Sequence, residues 1–232
     1  VISGIKAFFR YLILEKIMAH DPSEMLESPK LGRKLPDVLT ADEVEIIINS
    51  VDLSKDEGER NKAIFETLYG CGLRVSEVIN LKISNLHFKE GIMLVTGKGN
   101  KQRLVPVGKA AEKQITTYLT EIRPTIPISK QDSDTLFLNR RGKKLTRQMI
   151  FYIVKNQIET VGIRKNISPH SFRHSYATHL VQNGADLRAV QELLGHVSIT
   201  TTEIYTHLNR EDLRRAILDF HPRNKVNKRY KE

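Results

Sequence analysis

The sequence predicts a mainly α protein with a small antiparallel β-element. Apolar residues recur at helical spacing through most of the chain, and only residues 91–96 and 102–107 form β-rich runs, separated by Gly97, Lys98, Gly99 and Asn100. At 232 residues and 40% hydrophobic, the chain can bury a real core as one main domain with a smaller appendage. Lys and Arg number 37 against 27 Asp and Glu, a formal net charge of +10, and this excess favours a polyanionic partner. A single cysteine, Cys71, excludes an internal disulfide framework and a thiolate metal cluster, and suits a reducing cytoplasm. The longest apolar stretches, such as 44–51, fall far short of the roughly 20 residues a membrane span needs, so a soluble protein is expected.

In order along the chain, Ile2, Ile5, Phe9, Leu12 and Ile13, with Lys6 and Arg10 between them, predict an amphipathic helix reaching about Ala19. The chain enters this pattern at Val1, so an N-terminal part is expected to be missing. Residues 21–36 carry three prolines and Gly32 and read as an extended linker, with the boundary near Leu35. Thr40 then caps a helix, with Glu43 at its third position and Leu39 facing Val44, so a capping box and a hydrophobic staple coincide. A helix over 59–69 stops at Gly70, and the compact turn through Gly72 leads to another helix near Arg74, which sits at the bend. The hairpin lifts Lys98 onto its tip. Further helices are expected over 109–122, 146–160, 169–182, 187–194, 199–206 and 210–220, with a short strand at 136–139. The last twelve residues hold Arg223, Lys225, Lys228, Arg229 and Lys231 and read as a basic tail, assigned to 224–232.

Ser168 and Pro169 make a good helix start, which puts His170 and Arg173 on one face at a helix N-terminus. Anions are stabilised there: a guanidinium fork matches phosphate oxygens, and the helix dipole adds positive potential. Alone, the pair also fits a capping histidine and a surface arginine in an ion pair. Gly195, however, ends one helix and presents His196, and Tyr205 follows within the run Thr202, Glu203, Ile204, Tyr205. Together with the run from Gly72 to Glu77 and with Lys98 on its hairpin, this ordering resembles the tyrosine site-specific recombinases, the integrase family. The match covers nearly all of residues 35–223. Six positions correspond to that family's active-site pattern: Arg74, Lys98, His170, Arg173, His196 and Tyr205.

The chemistry of these residue types agrees with the resemblance. In-line displacement at a phosphodiester builds negative charge on non-bridging oxygens, which Arg74 and Arg173, helped by His196, can hold without a metal. Tyr205 is the nucleophile the resemblance implies. A phenol with a pKa of roughly 10 needs a base or cationic neighbours, and His170 is the candidate base. By resemblance Lys98 protonates the leaving 5′ oxygen, although Lys101 lies close by. The implied product is a 3′-phosphotyrosyl link that a second strand's 5′ hydroxyl rejoins, with no cofactor. Glu77, one turn after Arg74, is expected to pair with that arginine and orient it. Tyr176 reads as core packing.

Two other functions fit parts of the pattern. His170 and His174 have the spacing of helical zinc ligands, with His179 and His196 further on, but Ser171 and Phe172 stand where a zinc hydrolase places its glutamate, and Arg173 repels a cation. A non-catalytic DNA-binding module satisfies charge and helix content equally well. Lys101, Arg103, Arg140, Arg141, Lys143, Lys144 and Arg147 are candidate DNA contacts, or solvated basic residues.

The resemblance further implies a catalytic domain over 36–223, preceded by residues 1–35 as the last helix and linker of a helical core-binding domain. It implies double-stranded DNA as substrate and a tetramer of like or paralogous protomers. Asn209 caps the helix 210–220, whose stripe of Leu213, Ala216, Ile217 and Phe220 either docks into a neighbouring protomer or packs on its own domain. His221, Pro222 and Arg223, with no long insertion, look most like the Xer-type recombinases that resolve bacterial chromosome dimers. Integrases of mobile elements share every catalytic residue. A cytoplasmic, nucleoid-associated protein is the corresponding expectation.

Overall fold

A computed structural model describes residues 2–26, 37–195 and 210–225. The chain divides into two compact units, Val1–Leu35 and Pro36–Glu232. In the first, helix α1 (Ile2–Leu14) ends short of the expected Ala19. Lys16 adopts a left-handed conformation (φ 57°), and the Lys16 and Ile17 amides donate back to the Ile13 and Leu12 carbonyls at 3.0 and 2.9 Å. This Schellman closure stops the helix although Ile17 and Met18 continue its apolar pattern. Asp21 then accepts hydrogen bonds from the Ser23 amide and hydroxyl. The rest of the linker lies outside the described residues.

The second unit opens with the expected capping box on α2 (Ala41–Asn49). The Glu43 amide donates to Thr40 Oγ1 at 3.1 Å and the Thr40 amide to Glu43 Oε2 at 2.7 Å, while Leu39 and Val44 are both buried. Helix α3 (Gly58–Gly70) runs through the core, with every residue from Ala63 to Gly70 buried. It turns at Gly72, whose φ of +60° and near contact with the Tyr176 ring, 2.5 Å from where a Cβ would stand, admit only glycine. Helix α4 (Val75–Ile79) follows, with Arg74 as its N-cap residue.

Three antiparallel strands, β1 (Leu86–His87), β2 (Ile92–Thr96) and β3 (Gln102–Pro106), lie in that order. The β2–β3 hairpin is the expected one, with Thr96 opposite Gln102 and Met93 and Val95 facing the core. Strand β1 escaped the sequence because two residues carry no alternation. The strand expected at 136–139 does not form. Leu136, Phe137 and Leu138 are fully buried, but their segment contributes only isolated bridges, Thr135 with Lys82 and Leu138 with Lys144.

Helix α5 (Lys109–Thr117) continues through a π-helical turn, Tyr118–Ile122, across the span expected for one helix. Then come α6 (Arg147–Thr160), α7 (Pro169–Gln182), α8 (Leu187–Leu194), α9 (Arg210–Phe220) and α10 (Pro222–Lys225). The helix expected over 199–206 lies outside the described residues. The stripe on α9 packs on its own domain, Ala216 and Ile217 buried in the core and Leu213 and Phe220 against it. Residues 222–225 form α10, and Arg223 pairs with the buried Glu66 on α3, so a charge read as tail is an anchor.

His221, before α10, is 1% exposed between the Tyr69 and Tyr176 rings, with centroids 4.8 and 5.3 Å away. Burial pushes its pKa down to about 3. The native state therefore stays unprotonated there while an unfolded chain takes up a proton below about 6.5. Stability is expected to fall as pH drops from about 6.5 toward 3, by up to about 1.4 kcal/mol per pH unit from this residue. His221→Phe should flatten that slope in urea unfolding followed across pH; an unchanged slope assigns the acid lability elsewhere.

Candidate active site

The site is built where α4, β3, α7 and the end of α8 meet. Pro169 opens α7 and the Ser168 amide donates to Ser171 Oγ at 3.1 Å, which fixes the helix start. His170, in the first turn, is exposed, whereas Arg173, one turn on, is 5% exposed. Both line a cleft of about 240 Å³ with Arg74 and Arg147, walled by Val75 and Phe151. Arg74, His170 and Arg173 are thus brought together as the sequence implied, and Arg147 joins them from the N-terminus of α6.

Behind the cleft lies Glu77, its side chain 1% exposed. Oε1 accepts from Arg74 at 2.9 Å and from Arg103 at 2.7 Å, and Oε2 accepts from Arg103 at 3.0 Å. The Arg74 amide also donates to Oε2 at 2.8 Å, and Arg173 stands 3.9 Å from it. Burial pushes the Glu77 carboxyl up, but hydrogen bonding and charge from Arg103, then Arg74, more than offset this and hold it below the usual carboxylate range. Arg173 is pushed down to about 10, first by burial and then by the Arg74 charge, with Glu77 opposing.

The same three guanidiniums hold three successive carbonyls at the end of α8. Arg103 Nε donates to Leu193 at 3.2 Å, Arg173 donates to Leu194, and Arg74 donates to Gly195 at 3.4 Å. These carbonyls have no partner within the helix and form the negative end of its dipole, so cations belong there. Arg173 donates also to the Gly72 carbonyl at 2.6 Å, which ties α7 to the turn before α4. Gly195 takes the left-handed conformation (φ 61°) that ends α8 immediately before position 196.

The other expected residues fall as follows. Lys98 opens the turn Lys98–Asn100 at the hairpin tip. His196 and Tyr205 lie outside the described residues. Lys101, Arg140, Arg141, Lys143, Lys144 and Arg147 are exposed, and Lys144 donates to Asn80. Arg103 requires correction: expected as a DNA contact, it is 16% exposed with its guanidinium committed to Glu77 and Leu193. The Arg74 to Glu77 pair is the one expected, but nothing in the spacing announced that Glu77 also serves an arginine 26 residues on. Of the residues weighed as metal ligands, His179 is buried with Nδ1 2.8 Å from the Tyr69 hydroxyl. Among the described residues no three His, Cys, Asp or Glu side chains cluster closely enough to hold a metal ion, and no helix is long and apolar enough to cross a membrane.

A helical domain with a three-stranded sheet, presenting buried Arg173, half-buried Arg74 and a histidine to one cleft, is the catalytic-domain architecture the sequence pattern implied. The phage integrase family model matches residues 37–212, and the chain belongs to this family; it is a tyrosine recombinase, an enzyme of site-specific DNA recombination. It is 46% identical to tyrosine recombinase XerD of Staphylococcus aureus over 222 residues, covering 96% of this chain and 75% of that protein. The crystal structure of XerA recombinase matches with a TM-score of 0.64 at 32% identity, covering 92% of this chain and 71% of the other. A pre-cleavage complex of XerH with its difH substrate matches at 0.63 and 33% identity, over 77% of this chain and 52% of that one.

Since Glu77 is held below its ordinary value, the stability it contributes is present above about 4.5 and lost as pH falls through its folded-state value. Glu77→Gln leaves three guanidiniums without their carboxylate, so the variant should unfold at lower temperature near pH 7. The difference from the native chain should narrow as pH falls below about 4.5, because the unfolded native chain then takes up a proton at Glu77 that the folded one does not take until lower pH. Thermal unfolding at pH 7 and pH 3.5 reads both; a constant difference would remove the carboxylate charge from the account.

Proposed function

We propose that this protein cuts and rejoins double-stranded DNA at a specific site through a 3′-phosphotyrosyl intermediate on Tyr205, as the catalytic subunit of an Xer-type system that resolves chromosome dimers at the nucleoid. The observation that carries the mechanism is the convergence of Arg74, His170 and Arg173 on one cleft, with both guanidiniums anchored one and two residues before His196. The Tyr205 oxygen attacks phosphorus while His170 takes the phenol's proton. The two arginines and His196 hold the charge that develops on the non-bridging oxygens. The 5′ oxygen leaves with a proton from Lys98, and the partner strand's 5′ hydroxyl later attacks the phosphotyrosine and releases Tyr205. The bond energy stays in the covalent link, so no ATP or metal enters any step.

Exchange between two duplexes requires four such sites, so a tetramer on DNA is the functional assembly, of like or paralogous subunits. In this reading residues 1–35 end a core-binding domain that clamps the duplex from the other side, and 36–223 form the catalytic domain. Helix α9 docks into a neighbour, exchanging the cover its own domain gives Ala216 and Ile217 for an equivalent one. Exposed Arg140, Arg141, Lys143, Lys144 and Lys101 contact phosphates, and Arg147 reaches the duplex from the cleft itself.

Covalent capture on nicked duplexes in EDTA tests this. A nick beside the scissile bond lets the short 5′ fragment diffuse away, so adduct accumulates and its DNA identifies the site. Adduct is expected with the native chain, none with Tyr205→Phe, and a drop of at least about 100-fold with Arg173→Met. Adduct that persists in Tyr205→Phe, or that requires a metal ion, would overturn the mechanism; DNA binding with no adduct from any variant would favour a binding module.

A further inference from the structure

Arg103 lies on β3 opposite Val95 of β2, in the second residue pair from the turn that carries Lys98. Its guanidinium has five N–H donors in a planar fork, and burying it costs free energy unless those donors are used. The terminal nitrogens fork onto both Glu77 oxygens, at 2.7 and 3.0 Å, and Nε reaches the Leu193 carbonyl at 3.2 Å. Its stem packs so closely on the end of α8 that a Cβ at Gly195 would stand 3.0 Å from Arg103 Cδ. Gly97 on the other arm of the hairpin lies against the same pair, a Cβ there meeting Glu77 Oε1 at 3.5 Å and the Arg103 guanidinium at 3.8 Å. One side chain thereby joins α4, the hairpin and α8.

The charges give this arrangement a consequence for catalysis. Three guanidiniums surround one carboxylate, and Arg103 takes the bidentate share of it, while Arg74 has one bond from its guanidinium and Arg173 only the 3.9 Å approach. Arg103 and Glu77 cancel, so Arg74 and Arg173 both keep their positive charge for the cleft that Arg147 also lines. A phosphodiester carries one negative charge and its pentavalent transition state two, so cationic charge kept undiminished there favours the transition state over the ground state. Without Arg103, the Glu77 oxygens are free to fork onto Arg74 or Arg173 and neutralise one of them.

We propose that Arg103 is a positioning residue of the cleavage reaction: it occupies Glu77 so that Arg74 and Arg173 keep their charge for the phosphate, and it fixes the hairpin and the end of α8 around them. This rests on the reading of Arg74 and Arg173 as the phosphate-binding pair.

The test measures single-turnover formation of the Tyr205 adduct on a nicked duplex at saturating DNA, with DNA affinity and melting temperature recorded for each variant. Arg103→Met is expected to slow adduct formation about 100-fold with little change in DNA affinity. Arg103→Lys, which keeps the charge but not the fork, should recover part of that rate, and its remaining deficit against the native chain should shrink at acid pH, where a protonated Glu77 no longer draws on Arg74 or Arg173. Adding Glu77→Gln to Arg103→Met should restore rate, since a neutral amide does not draw on Arg74 or Arg173. A merely structural arginine predicts the opposite, a double variant slower than either single one. The proposal is overturned if Arg103→Met cleaves at the native rate, if the loss is wholly in DNA affinity, or if the double variant gains nothing. If Arg103→Met does not fold, an Arg103→Lys deficit that is the same at acid and neutral pH overturns it. A native chain that forms no Tyr205 adduct removes the underlying reading as well, whereas native adduct with indifferent Arg103 variants removes this inference alone.

Discussion

A carboxylate buried as deeply as Glu77 must be paired, and the pairing it finds organises the molecule. Removing an ionised carboxyl from water costs several kcal/mol even after the protein relaxes, and only well-placed donors offset it. Here they come from α4, β3 and, at longer range, α7, so the three elements cannot shift independently without exposing an uncompensated charge. The same guanidiniums then reach the last carbonyls of α8. A buried anion and the negative end of a helix dipole, both in need of cations, are served by one set of arginines. The back of the candidate cleft is for this reason part of the structural core.

The rest of the fold supports that junction from the far side of α3. Gly72 lets the chain turn directly against Tyr176, which brings its carbonyl within reach of Arg173. At the other end of α7, His179 meets the Tyr69 hydroxyl, and His221 lies between Tyr69 and Tyr176, so α9 and α10 are held to the same helices that carry the cleft. The Arg223 to Glu66 pair closes this layer and turns the start of the basic tail into structure. A change at the C-terminal end therefore reaches α7 through packed rings and not through solvent.

What the sequence disclosed followed from local rules. The capping box at Thr40, the glycine stops at Gly70 and Gly195, the proline start at Pro169 and the GKGN turn each express chemistry confined to a few neighbouring residues, and those elements appear where expected. His170 and Arg173 were legible as a pair because one helical turn separates them. What stayed hidden depends on distance. Arg103 reads as one more basic strand residue, and its service to Glu77 exists only after β3 and α4 have packed. The run from Leu136 to Leu138 has strand composition but meets its neighbours only in isolated bridges, so burial satisfied its side chains without a ladder. Arg223 sits among basic residues, and its partner is 157 positions earlier.

On the proposed mechanism, the arrangement also holds two arginines in place before any phosphate arrives. Each has part of its fork fixed, Arg74 by Glu77 and the Gly195 carbonyl, Arg173 by the Gly72 and Leu194 carbonyls, and each keeps further N–H donors unspent by those bonds. Orientation is thus supplied by folding, and in the proposed reaction the groups need not be ordered again as charge builds on phosphorus. Desolvation that pulls Arg173 down to about 10 still leaves it cationic at neutral pH. A lysine in its place would offer a point charge without the geometry to bridge Gly72 and Leu194 while facing a ligand. The requirement for a guanidinium follows from two demands on one side chain, holding α7 to α8 and presenting charge to the cleft.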